Sequence, residues 1–192
     1  MSRPVMKREV IEESAIELFA TKGLARTTIK DIATRAGVTE GALYRHYDGK
    51  EEMAWKLYNR ELEQFVRLVS SPLFDDRMPF ALRLGLAIQT IYDYYTYNSD
   101  QFAFILLTQH GFPEDRLLNR ESDPLNMAER FVGQAVGAGE IPPCDADLLA
   151  SLMLGAILQP LVLHRYGRLE LTPATHGHVT EICLRMLGVS KS

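Results

Sequence analysis

The sequence predicts an all-α protein of about nine helices. Three observations carry this. Apolar residues recur with a helical period in almost every segment, no alternating run bounded by a hairpin turn appears, and glycines and prolines fall between the periodic segments. The chain has 192 residues, with 46% hydrophobic and 24% charged. At about 150 residues per domain, that length gives one domain or two small ones. The composition excludes a largely disordered chain, a collagen-like repeat and a disulfide-dense mini-protein.

Taken in order, a first helix spans residues 5–21, with Ile11, Ala15, Leu18 and Phe19 on one face and Gly23 as its stop. Thr28 begins a second helix, and Asp31 three residues on completes a capping-box-like start with Asp instead of Glu. Ile29, Ile32, Ala33 and Ala36 form its apolar stripe and Gly37 breaks it. Thr39 can cap a short third helix carrying Ala42, Leu43 and Tyr44. A fourth spans 50–69, with Met53, Leu57, Leu62, Phe65 and Val66 on or near one side, and residues 72–79 form a linker. Five more follow at 80–97, 100–110, 124–138, 146–166 and 173–187. The breaks are Gly111-Phe112-Pro113, residues 139–143 and Gly167.

The formal net charge of -4 argues at first against a nucleic-acid partner. It hides a split. Residues 1–60 hold 11 Lys/Arg against 9 Asp/Glu, a net of +2, and residues 61–192 hold 10 against 16, a net of -6. Such asymmetry points to two jobs in one chain. Cys144 and Cys183 form neither a disulfide framework nor a CxxC motif. The first ten residues are polar, without the apolar region of a signal peptide. The longest apolar stretch, residues 148–163, is interrupted by Ser151, Gln159 and Pro160 and falls short of the roughly 20 residues a membrane span needs. A buried helix, no membrane partner and the cytoplasm are expected.

The informative stretch is residues 27–47, which has the physics of two helices joined by a tight turn. Ala33 lets the second helix cross closely, Gly37 permits a positive φ, and Val38 and Leu43 point back toward Ile32 and the first helix. Thr39, Glu40, Gly41, Tyr44, Arg45 and His46 then face outward, a surface suited to a DNA major groove. Residues 23–53 resemble the DNA-binding region of the tetracycline-repressor (TetR) family of bacterial transcription regulators. The resemblance rests on Phe19, Gly23, Thr27-Thr28, Asp31-Ile32-Ala33, Ala36-Gly37-Val38, Gly41-Ala42-Leu43-Tyr44, His46-Tyr47 and Lys50-Glu51-Glu52-Met53, and covers roughly the first 55 residues. Leu24 and Tyr47 depart from it, standing where the family more often has an aromatic residue and Phe.

The resemblance implies roles by position. Thr28, Thr39, Tyr44, His46 and Lys50 match positions that touch phosphates, which position a protein without specifying sequence. Lys30, Glu40, Gly41 and Arg45 match positions facing base edges. Lys30 or Arg45 can bond guanine O6 and N7, Glu40 can accept from a cytosine amine, and Gly41 lets the backbone come close. Against this, Lys30 and Glu40 can be ordinary solvated surface. Tyr44 and Tyr47 can both be core, and for Tyr47, just before the next helix, the core is the favoured place.

Beyond about residue 55 no family-wide motif appears, and the resemblance implies ligand binding and dimerisation there. The expected division is therefore 1–50 for a helix-turn-helix DNA-binding domain and 51–192 for a ligand-binding and dimerisation bundle. Residues 147–166 hold a broad apolar face with the small residues Ala150, Ser151, Gly155 and Ala156, and Pro160 should kink or loosen the helix. The last helix aligns Val179, Ile182, Cys183, Met186 and Leu187. Two such helices per subunit would build a four-helix interface around a two-fold axis; the alternative is that both complete the monomer core. A pocket between bundle helices would be lined by Tyr92, Tyr95, Phe102, Leu106, Met127, Phe131, Met153 and Ile157, with Gln109, His110, Gln159 and His164 as polar anchors. Tyr94 and Tyr97 are expected to point elsewhere.

Other signals do not rise. His176 and His178, two apart on a helix, do not share a face, so no metal site is expected. Cys144 has no basic neighbour to activate it, and Cys183 reads as core or interface. No nucleotide-binding or hydrolase motif occurs, and neither an enzyme nor a cofactor is expected. The reading is a homodimeric transcription regulator, most often a repressor by resemblance, released from a pseudo-palindromic operator by a small, mostly apolar effector. The alternatives are a nonspecific DNA-binding protein, or a helical carrier or enzyme with a vestigial helix-turn-helix.

Overall fold

The computed structural model describes residues 4–107, 112 and 123–189, with the backbone alone at 4–6, 106 and 107. The described chain forms α1 (Pro4–Lys22), α2 (Ile29–Ala36), α3 (Glu40–Leu43), α4 (Lys50–Leu73), α5 (Phe80–Tyr97), α6 (Ser99–Leu107), α7 (Pro124–Gly137), α8 (Ala146–Arg165) and α9 (Thr175–Met186). These are nine helices among the described residues, with no strand. The chain divides into two compact units. The first holds α1 to α3, α4 as far as Gln64, and α6; the second holds α4 from Phe65, α5 and α7 to α9.

In the first unit α1 packs against α2 and α6. Its apolar stripe, Ile11, Ala15, Ile16 and Phe19, is buried, and Phe19 stacks on Phe104 of α6 with ring centroids 5.6 Å apart. Tyr58 and Phe112 extend this aromatic core. In the second unit α7 packs on α8, and α9 on α5 and α8. Phe80 and Phe131 stack at 5.0 Å, and Arg83, buried above both rings, pairs with Glu140. Hydrogen bonding to the carboxylate and contact with the ring faces make this buried cation tolerable.

The differences from the sequence reading have local causes. α4 continues through Pro72, four residues beyond its expected end, because Val69 and Leu73 are buried and hold the last turn. α8 runs on through Pro160, the residue expected to kink or loosen it, and the fully buried Leu161 lies in the turn beyond. α8 was also expected to be buried. It is long and apolar enough to cross a membrane by length and composition, yet only 22% of its apolar window is buried within this chain. Leu148 and Leu152 lie on its open side. Tyr94, expected to point elsewhere than the face of Tyr92 and Tyr95, is buried against Phe65 of α4 at 5.2 Å.

Candidate nucleic-acid interface

Local chemistry builds the helix-turn-helix. Thr28 is the N-cap of α2: its hydroxyl accepts from the Asp31 amide at 3.1 Å, and Asp31 accepts from the Thr28 amide at 2.8 Å. The expected capping box is therefore present with Asp in the Glu position. Lys22 of α1 adds an ion pair to Asp31 at 2.6 Å. That ammonium, with the Thr28 hydroxyl and amide, holds the Asp31 carboxyl down at about 2. Thr27, buried, donates to the Gly23 carbonyl at 2.8 Å and locks the turn before α2. Gly37 closes α2 with φ +65, a conformation that favours glycine, and the Val38 amide returns to the Ala33 carbonyl at 3.0 Å. Arg35 grips Glu17 of α1 with bonds of 2.6 to 3.0 Å, fixing how α2 crosses α1.

A buried polar knot secures the end of α3. Glu12 of α1 is 5% exposed and accepts from Arg8 at 2.7 Å, from the Tyr47 hydroxyl, and from Arg60 of α4. Arg60 also pairs with Glu61 at 2.8 Å. Burial pushes the Glu12 carboxyl up, but the bonds from Tyr47, Arg60 and Arg8 more than offset it and hold it below the ordinary range. Burial, with the Glu12 charge beside it, pushes the Tyr47 phenol up to about 12. Tyr47 is thus core, as expected. One carboxylate joins α1, the segment after α3, and α4.

This frame presents the surface that the sequence singled out. Lys30, Glu40, Gly41 and Arg45 are all exposed, as are Thr28, Thr39, Tyr44 and His46. Among the described residues, the side chains of Lys30, Glu40, Arg45 and His46 form no hydrogen bond or ion pair (a head otherwise rich in both). Tyr44 is 56% exposed, which separates it from the buried Tyr47. Thr39 occupies the N-cap position of α3 but its side chain makes no capping bond there. A Cβ at Gly41 would meet nothing nearer than Thr39 Oγ1 at 4.0 Å. The fold itself does not demand a glycine at this helical position, where glycine costs about 1 kcal/mol relative to Ala. Lys50 differs from the rest: its ammonium donates to the Leu24 carbonyl at 2.9 Å and its side chain is only 17% exposed.

The sequence reading missed Lys7. It lines a groove of about 650 Å³ together with Thr39, Arg45 and His46. A lone lysine on α1 carries no spacing signal; only the fold brings it beside the end of α3.

A sequence model of the family described as "Bacterial regulatory proteins, tetR family" matches residues 11–55. Over these residues, the helix-turn-helix and the start of α4, the chain is similar to the TetR family of bacterial regulatory proteins. The transcriptional repressor KstR2 of Mycolicibacterium smegmatis is 42% identical over 52 residues, covering 27% of this chain and 25% of that protein. The chain therefore aligns with only a quarter of that relative's length. The transcriptional regulator SrpR of Pseudomonas putida is 28% identical over 156 residues, covering 76% of this chain and 68% of that protein. Among solved structures, the transcriptional regulator FadR of Bacillus subtilis, in complex with stearoyl-CoA, superposes with a TM-score of 0.75 at 16% identity, covering 96% and 100% of the two chains. At that identity the likeness establishes the fold.

The expected effector pocket is assembled in part. Met127, Met153 and Ile157 line a cavity of about 20 Å³ in the second unit, with Val69, Leu84 and Ile88 among their neighbours. That volume is close to what one water molecule occupies. Tyr92, Tyr95 and Phe131 are buried but do not line it. Tyr92 donates to the Ile157 carbonyl at 3.2 Å, and Tyr95 bonds His164 Nδ1 at 2.7 Å, so both hydroxyls hold the bundle together. Burial pushes the Tyr92 phenol up to about 12. Phe102 belongs to the first unit and packs in its core. The side chain of Leu106, and Gln109 and His110, lie outside the described residues. Gln159 is exposed.

Among the described residues no group of three or more metal-ligating side chains gathers. Cys183 is buried, its thiol pushed up to about 11, and Cys144 is exposed.

Proposed function

We propose that the chain is a homodimeric, ligand-responsive transcription regulator of bacterial cytoplasm, acting as a repressor on a pseudo-palindromic operator. The observation that carries this is the exposed set of Lys30, Glu40, Arg45 and His46, whose side chains are uncommitted, on a helix-turn-helix whose Asp31 and Arg35 are paired with Lys22 and Glu17 of α1. Arg45, Lys30, Glu40 and Gly41 meet base edges in the major groove, and Thr28, Thr39, Tyr44, His46 and Lys50 meet phosphates. Residues 1–50 serve as the reading head and 51–192 as the sensor and dimer body. Both named relatives are transcription regulators, one of them a repressor, which supports regulation over catalysis.

The open faces of α8 and α9 form the dimer interface. Leu148 and Leu152 at about half exposure, Ile182 at 45%, and the small exposed Ser151 and Gly155 make a close-packing surface. Burial against a second copy explains an apolar helix that its own chain leaves open better than a membrane does. Asp145 and Asp147 at its start and His164 and Arg165 in its last turn suit a helix exposed to water at both ends.

The effector occupies the bundle by enlarging the small apolar cavity beside Met127 and Met153, side chains that repack easily. Its chemistry is mostly apolar; the stearoyl-CoA held by the similarly folded FadR supports a lipid-like molecule. A ligand that favours one position of α4, which carries residues of both units, changes the separation of two reading heads and so releases DNA. The test of the DNA-binding reading is a pair of substitutions. Arg45→Ala relaxes preference at particular base pairs, whereas Lys50→Ala weakens all duplexes alike and flattens the salt dependence. Equal effects of both on every sequence refute the division of roles.

A further inference from the structure

The groove noted above lies between α1 and the end of the helix-turn-helix. Its volume is about 650 Å³. Lys7 stands on the α1 side; Arg45 and His46 stand on the α3 side; Ile11, Val38 and Ala42 supply apolar lining between them. Among the described residues no carboxylate lines it. The charges are also unusually free. Every other described Lys or Arg among residues 1–60 except Lys30 donates to a carboxylate or a backbone carbonyl, as Lys22 does to Asp31 and Arg26 to the Lys22 carbonyl. Lys7 and Arg45 do neither among the described residues. Lys7 therefore carries a charge that the fold itself does not use, in a groove shared with two groups already placed on the DNA-reading surface.

We infer that this groove seats one sugar-phosphate strand of duplex DNA, and that Lys7 is an additional phosphate contact supplied by α1. Lys7 on one side and His46 on the other meet phosphate oxygens, the apolar lining meets deoxyribose carbons, and Arg45 reaches from the same wall to the base edges. A strand held from both sides fixes how far α3 can tilt in the major groove. Lys7 is thus a positioning residue for base readout made by Arg45, and the inference rests on the regulator reading above.

The experiment measures Kd against salt for the whole protein, using duplexes selected by the wild type from a random pool and an unselected duplex of equal length. For Lys7→Gln, each lost phosphate contact lowers the slope of log K against log salt by about 0.9. The ratio of mutant to wild-type Kd then changes by about 3.5-fold per Lys7 between 50 mM and 200 mM salt. The loss should be equal on selected and unselected DNA, and Lys7→Arg should retain the slope. Lys56→Gln removes a charge already paired with Glu52 and should leave the slope unchanged. Lys7 is exposed, and matching thermal melts confirm that the variant folds. An unchanged slope for Lys7→Gln overturns the inference while leaving the regulator reading intact. A loss confined to selected duplexes also overturns it, because that is base readout. Failure of the wild type to select or bind any duplex overturns both readings.

Discussion

Replacing Glu12 with Gln tests the buried knot that ties the recognition segment to α1 and α4. The amide keeps the shape of the side chain but has one acceptor oxygen where the carboxylate has two. Oε1 accepts from Arg8 and Tyr47, and Oε2 accepts from Arg60. In the better orientation the amide oxygen keeps the first two donors and turns its NH2 against the Arg60 guanidinium. One charge-assisted bond is lost, about 1.5–3 kcal/mol, and the remaining two weaken. Two effects offset this: Arg60 is 46% exposed and retains Glu61, and a buried charge no longer needs desolvating. The net expectation is a loss of about 2 kcal/mol, or roughly 4–8 °C in Tm for a chain of this size. The sign of the pH dependence follows. The Glu12 carboxyl sits below its unfolded value in the folded chain, so its contribution is complete above the unfolded value of 4.5 and is lost as pH falls through the lower folded value. Urea unfolding of both proteins at equal concentration, from neutral pH down to about pH 3, should show a gap that is widest near neutrality and closes on acidification. Equal stability at neutral pH, or a gap independent of pH, refutes the reasoning.

Other predictions concern separate parts of the molecule. Thr28→Ala removes the α2 cap and should cost about 1 kcal/mol in stability by urea titration, with DNA affinity falling as well. Leu152→Glu on the open side of α8 should convert the dimer to monomer in sedimentation equilibrium at unchanged helical circular dichroism; a dimer of wild-type strength removes this face from the interface. Leu84→Ala, in the lining of the small second-unit cavity, should cost about 2–5 kcal/mol and enlarge a site for apolar ligands. If no lipid or aromatic compound stabilises that variant against heat any better than the wild type, the effector does not enter there.

Much of the reading head is legible in sequence because its determinants are local. Thr28 and Asp31 are three residues apart, Gly37 sits where the turn needs a positive φ, and the buried Tyr47 stands just before the next helix. The knot around Glu12 is not legible, since Tyr47 and Arg60 lie 35 and 48 residues away and nothing in their spacing links them. Lys7 escapes notice for the same reason. In the bundle, periodicity identifies apolar faces but cannot say which partner covers each one. Nothing in the spacing showed that Phe65 meets Tyr94, and α8 looked buried although its own chain leaves much of it open. The pocket residues suffer most: Phe102 has the right chemistry and period, yet it serves the core of the other unit.

The central claim is sequence-specific recognition by two copies of this reading head. Selection of duplexes from a random pool by the full-length protein, followed by sequencing of the bound fraction, tests it most directly. The account predicts enrichment of a pseudo-palindrome whose half-sites lie about one helical turn, roughly 34–36 Å, or a multiple of it apart. Enrichment should vanish with Arg45→Ala at defined base pairs. A bound pool as random as the input, retained as tightly as any enriched sequence, would contradict it.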